Sequence, residues 1–155
     1  MSESERLAIE LDKALNGGAW HGPSFREALE GVDLAAALRR PIAEAHTIAE
    51  IVLHTTAWHD VVRLRLRGEA PQISDAEDWP APAFADERDW QAAVRRLAET
   101  GRSLCDAVRA FPAEKLHEPR PRIDDTWYGL VSGELQHVIY HAGQVAILRK
   151  AGGGR

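Results

Sequence analysis

His137 and His141 lie four residues apart in a stretch whose apolar spacing is helical. Residues four apart on a helix share a face one turn apart, so both imidazoles can point at one divalent ion. The pair alone is a weak signal. Seven histidines in 155 residues yield roughly 0.3 such pairs by chance, and two histidines on a partly exposed face need no ion. The surroundings argue further. At about 100° per residue, Leu130, Gly133, Glu134, His137, His141, Gln144 and Leu148 fall on one side of the helix, and the apolar members turn that side inward. Polar groups on an inward face need partners, because burying them unpaired is costly. An earlier stretch presents Thr47, Glu50, Ile51, His54, Trp58, Val61 and Arg65 on one face, again with a histidine near its middle. Three imidazoles from two facing helices make a metal site that keeps positions open for water or substrate.

Positioning these residues takes long helices, and periodicity predicts four. The first runs from about Ser4 to Leu15 and stops at Asn16-Gly17-Gly18. A broken segment, Trp20-His21-Gly22-Pro23-Ser24, leads to short helical pieces over Ser24–Glu30 and Leu34–Leu38. The second long helix begins near Thr47, where Thr47 and Glu50 have capping-box spacing, and reaches Arg67 before Gly68. Residues 68–85 hold Pro71, Pro80 and Pro82, show no period, and are long for a bundle connection, so the helices they join need not be antiparallel neighbours. The third long helix spans Asp86 to Ala110, ended by Phe111-Pro112. The fourth starts near Asp125 or Thr126, reaches Lys150 or Ala151, and stops at Gly152-Gly153-Gly154. No strand pattern competes. The expectation is an all-α four-helix bundle forming a single domain over residues 1–155 with a long connection between its second and third helices.

Composition narrows the partners. A chain 45% hydrophobic can bury one sizeable core. The net charge is −5 and the basic residues form no block, which disfavours nucleic acid. No apolar run approaches the eighteen or so residues of a membrane span. Glu3, Glu5, Arg6, Glu10, Asp12 and Lys13 leave no room for a signal-peptide apolar region, so a cytoplasmic location is expected. The single Cys105 shares a helical face with Val94, Ala98 and Val108 and reads as a buried small residue.

The stretches Thr47-Ile-Ala-Glu-Ile-Val-Leu-His54-Thr-Thr-Ala-Trp58 and Gly133-Glu-Leu-Gln-His137-Val-Ile-Tyr-His141-Ala-Gly-Gln144-Val-Ala-Ile-Leu148 resemble the DinB-like superfamily, which includes the YfiT-like proteins. The resemblance extends over the whole chain in length and helix order, and His-x3-His-Ala-Gly-Gln is its specific part. It implies a four-helix bundle, often a homodimer, holding one divalent ion on His54, His137 and His141, with zinc or nickel foremost. Trp20-His21-Gly22-Pro23-Ser24 and His46 resemble one branch of the family.

Other residues keep two readings each. Glu134 and Glu50 sit one turn before His137 and His54, and either could orient a ligand or act as a base. Glu50 is already explained by the capping box, and Glu134 could instead close the site as a fourth ligand. Gln144 suits a hydrogen bond to a ligating histidine. Trp58 and Tyr140 suit core or rim packing more than a substrate platform, and Trp58 is also a candidate pocket residue. His21 and His46 are candidate pocket residues, and His59 and His117 receive no role. A divalent ion on three neutral imidazoles keeps its full charge and lowers the pKa of bound water or thiol. Three functions follow for a small-molecule substrate: transfer through a low-molecular-weight thiol, which characterised relatives in the resembled family use; metal-dependent hydrolysis; or a non-catalytic metal-binding or dimerisation module. The first needs a long pocket lined by Arg, Asn or Trp, the second a base beside the open positions, and the third no pocket at all.

Overall fold

The computed structural model describes residues 1–153. Gly154, expected in the stop of the last helix, lies outside the described residues. The helices are α1 (Glu3–Asn16), α2 (Phe25–Leu29), α3 (Leu34–Leu38), α4 (Ile48–Leu66), α5 (Asp75–Asp78), α6 (Glu87–Ala110) and α7 (Trp127–Ala151), with a 3-10 turn at Ala113–Lys115. The chain is all-helical. Among the described residues the only β-type pairing is an isolated bridge between Pro119 and Thr126.

The boundaries follow from local chemistry. Thr47 accepts from the Glu50 N–H while the Glu50 carboxylate accepts from the Thr47 N–H, so the expected capping box starts α4. Asp86 and Thr126 cap α6 and α7 by accepting from the N–H groups of Asp89 and Gly129. Gly68, with φ of +85°, turns the chain out of α4 in a conformation glycine adopts without steric cost.

The connection departs from expectation at one place. Residues 75–78 form a single turn, α5, begun where the Glu77 carboxylate accepts from the Ser74 N–H at 2.9 Å. One turn is too short to leave a period in the sequence, yet it carries Asp78 and Trp79 to the side of α4.

Helix α4 packs against both α6 and α7, and α1 packs against the same two helices. Residues 68–85 therefore join helices that are direct neighbours, a point the sequence left open. The apolar faces meet in a core that includes Leu11, Phe25, Ile51, Trp90, Leu104 and Val138. Trp90 is fully buried and its indole N–H donates to the Val32 carbonyl at 2.8 Å, so its polar end is satisfied. Gly101 lets side chains from two helices close on α6: a Cβ there would lie 3.1 Å from Leu15 Cδ1 and 3.5 Å from His59 Cε1. Cys105 is buried as expected, and burial pushes its thiol up to about 12. Among the described residues no helix is long and apolar enough to cross a membrane.

Candidate metal centre

Helices α4 and α7 bring His54, His137 and His141 together. Each offers a ligand nitrogen, and these atoms all lie within 4.8 Å of one another. The Nε2 atoms of His54 and His137 are 2.9 Å apart, a separation that one first-row ion bonded to both at about 2.0–2.1 Å spans.

A second group addresses the other nitrogen of each ring. His54 Nδ1 is 2.7 Å from the Asp78 carbonyl oxygen. A carbonyl can only accept, so the hydrogen belongs on Nδ1 and Nε2 keeps a free lone pair. His141 Nδ1 lies 2.6 Å from Gln144 Oε1, which fixes the same tautomer. His137 Nδ1 faces Glu134 Oε2 at 3.4 Å, an electrostatic contact longer than a good hydrogen bond. Glu134 thus approaches the ring from the side opposite the shared nitrogens and does not sit as a fourth ligand in this arrangement. Burial holds the His54 pKa below the ordinary imidazole range, with His137 reinforcing and the Asp78 carbonyl opposing the shift. Burial first, then the nearby His137, brings His141 down to about 4. Both are neutral near pH 7, the form that ligates.

Among the described residues, four buried side-chain atoms lack a hydrogen-bond partner: Thr55 Oγ1, His59 Nε2, Glu134 Oε1 and His137 Nδ1. Three of them run from His137 through Glu134 to His59. His59, given no role on sequence grounds, is fully buried between α4 and α6. Its Nδ1 lies 3.1 Å from Thr100 Oγ1, and its Nε2 lies 3.8 Å from Glu134 Oε1. Burial lowers the His59 pKa to about 3 and raises that of Glu134. At about 100° per residue, His59 projects about 140° away from His54 on α4. The fold instead uses it to back the carboxylate that faces His137.

Trp79 lies between two histidines. Its ring stacks on His54 at 3.8 Å and 6° and on His46 at 3.5 Å and 7°. Asp78 also accepts from the Trp58 indole N–H at 2.6 Å. Neither Asp78 nor Trp79 was singled out from sequence. The one available signal was a tryptophan, an apolar residue, in a polar and proline-rich connection.

The remaining candidates separate. His46 is exposed and reaches the cluster through Trp79. Glu50 stays at its cap, where both carboxylate oxygens lie 3.0 Å from Arg40 Nη2. His21 is exposed and does not line the cavity at the histidines. Tyr140 is 64% exposed, a surface residue beside His141 and not core. His117 is exposed and pairs with Glu3 at 2.9 Å.

A cavity of about 390 Å³ borders the cluster, and His54, Trp58, Arg120, Gly133, Glu134 and His137 are among its walls. This volume falls at the lower end of the usual range for small-molecule sites. A second cavity, of about 420 Å³ and walled by Leu15, Phe25, Leu29 and Leu97, lies between α1, α2 and α6 and includes none of the clustered histidines.

The donor set suits a divalent ion. Two of its imidazoles are buried and neutral, each has its outer nitrogen addressed by another group, and the inner nitrogens converge. Fold and site define an all-helical protein with a three-histidine cluster able to hold a metal. The family model of the DinB superfamily matches residues 19–145, and the chain belongs to that superfamily. No curated protein and no solved structure matches it.

Proposed function

We propose that this protein is a single-domain four-helix bundle, built from α1, α4, α6 and α7, that binds one divalent ion on His54, His137 and His141 and activates a low-molecular-weight thiol for transfer to an electrophile. The observation that carries this reading is the cavity beside the histidines, walled by Trp58 and Arg120, with no carboxylate closing the cluster. A non-catalytic module needs no such space, and a structural zinc site is usually closed by four protein ligands.

The ion, when bound, supplies positive charge that lowers the thiol pKa and favours the nucleophilic anion near neutral pH. The chain's own residues supply position. Asp78, Glu134 and Gln144 hold the three imidazoles so that little reorganisation accompanies binding. Trp79 covers one face of His54 and limits water there. In the transfer, sulfur forms a bond to the electrophilic carbon, the thiol proton leaves to solvent, and the leaving group departs with its electron pair. Hydrolysis ranks second, because its candidate base His21 lies outside the cavity and Glu134 is engaged toward His137.

The test loads the protein with zinc or nickel and supplies several small thiols with a chromogenic electrophile. Thiol should be consumed faster than with the His54→Ala variant. If no thiol reacts and an ester panel is hydrolysed, the hydrolase reading replaces this one; silence in both assays favours the module.

A further inference from the structure

Arg120 lines the same cavity as His54 and His137, and its side chain is only 8% exposed. Of its five guanidinium N–H donors, one is used among the described residues: Nη1 donates to Asp125 Oδ2 at 3.2 Å. The guanidinium also lies 5.9 Å from the Trp127 ring centroid. Its backbone is held in place, since the Arg120 N–H donates to the Asp125 carbonyl at 2.8 Å and Pro119 bridges to Thr126. A second guanidinium is close by. Arg65 lies 5.2 Å from the ring centroid of Trp58, another wall of the cavity, and among the described residues no carboxylate lies within salt-bridge distance of it. Burial and the like charge of Arg120 both lower its pKa, and the Glu134 carboxylate opposes them.

Three carboxylates also line the cavity, and two of them are turned to groups other than Arg120. Asp78 is engaged by Trp58 and His54, and Glu134 faces His137. Asp125 is shared between Arg120 and the Thr126 N–H. Among the described residues, Asp125 is thus the carboxylate of the cavity that is hydrogen-bonded to Arg120.

The geometry sets a length. Asp125, the partner of Arg120, reaches over Gly129: a Cβ on Gly129 would lie 1.8 Å from Asp125 Oδ1. Gly129, Gly133 and His137 stand on successive turns of α7. At 1.5 Å per residue, Gly129 and His137 are about 12 Å apart along the helix. Gly133, between them, faces open space, with nothing within 4 Å of where its Cβ would be.

We propose that Arg120 and Arg65 form an anion subsite, so that the substrate or thiol carries a carboxylate or phosphate some two helical turns from the group placed at the histidines. The arginine fork pairs with either anion through parallel hydrogen bonds. This inference rests on the thiol reading for what occupies the other end.

The probes are 8-mercaptooctanoate, 8-mercaptooctanol and 8-mercaptooctyl phosphate, titrated into cobalt-loaded full-length protein and followed by the sulfur-to-cobalt charge-transfer absorption. The two anionic thiols should bind at least about tenfold more tightly than the alcohol, the scale of a hydrogen bond to a charged group. The order of carboxylate and phosphate then identifies the anion. Arg120→Gln should erase the preference while cobalt stoichiometry is unchanged, and Arg65→Gln should weaken it. Because Arg120→Gln removes a buried tie and could unfold the loop, Gly133→Leu provides an independent check: it should fill the cavity and weaken every probe with cobalt retained. Equal binding of alcohol and anions, or a preference that survives in folded arginine variants, would overturn the subsite. If cobalt binds but no thiol gives the absorption, the thiol reading fails alone. Tryptophan fluorescence then decides the subsite: quenching by octanoate that is absent with octanol and lost in Arg120→Gln supports it, and no difference overturns it.

Discussion

Replacing Gln144 with Ala removes the acceptor that holds His141 and leaves the proposed ligand itself in place. The 2.6 Å contact between Gln144 Oε1 and His141 Nδ1 fixes both the tautomer and the orientation of the ring. Loss of such a partner typically costs about 10–100-fold in metal affinity, or about 1.4–2.7 kcal/mol. The effect on folding should be smaller. Gln144 is half-buried, and one hydrogen bond contributes about 1 kcal/mol net, which corresponds to a fall of roughly 2–4 °C in Tm for a chain of this size. The assay is competition for zinc between the apoprotein and a chromophoric chelator, beside thermal melts of the metal-free protein. Gln144→Glu keeps an acceptor at this position and should bind zinc at least as tightly as Gln144→Ala. Zinc affinity unchanged in Gln144→Ala would refute the argument. So would a large drop in Tm with unaltered affinity, because Gln144 would then be only a packing residue.

Further outcomes are expected. His137→Ala should abolish stoichiometric metal in elemental analysis, and retention of one ion per chain would show that the cluster is not the site. Trp90→Ala, which empties a fully buried position and orphans the Val32 carbonyl, should cost about 3–5 kcal/mol in urea denaturation. The metal-free protein should lose stability as pH falls from about 6.5 toward 3–4. In that window His54, His59 and His141, with pKa values lowered by burial, stay neutral when folded but take up protons when unfolded. Each contributes a slope of up to about 1.4 kcal/mol per pH unit. Glu134, with its raised pKa, acts in the opposite sense and loses its contribution as pH rises; one carboxyl cannot cancel three imidazoles, and a flat stability curve between pH 7 and 4 would contradict the burial argument. We also propose a homodimer, supported by Tyr140 and Ile147, 64% and 60% exposed and two turns apart on α7; sedimentation should show a dimer at micromolar concentration, and a monomer alone would remove this assignment.

Much of the scaffold was readable because its determinants are local. Helical period, the Thr47–Glu50 box, the caps at Asp86 and Thr126, and Gly68 each act within a few residues of chain, so they put α4, α6 and α7 within a residue or two of their expected bounds. The four-residue spacing of His137 and His141 determines by itself that they share a face, and His54 stands on an inward face for the same reason. Glu134 and Gln144, three residues from the histidines they address, were legible on the same grounds. Tertiary structure decided what came from a distance. Asp78 and Trp79 reach His54 across 24 and 25 residues through a single turn that leaves no period. His59 points away from His54 on the helical wheel, and only the packing of α6, close because of Gly101, buries it beside Glu134. Arg120 sits in an irregular loop, and nothing in its neighbours along the chain says that it borders the cavity of the histidines. Periodicity records which face of a helix turns inward; which residues meet there depends on how the helices and connections pack, a long-range property with no local signature.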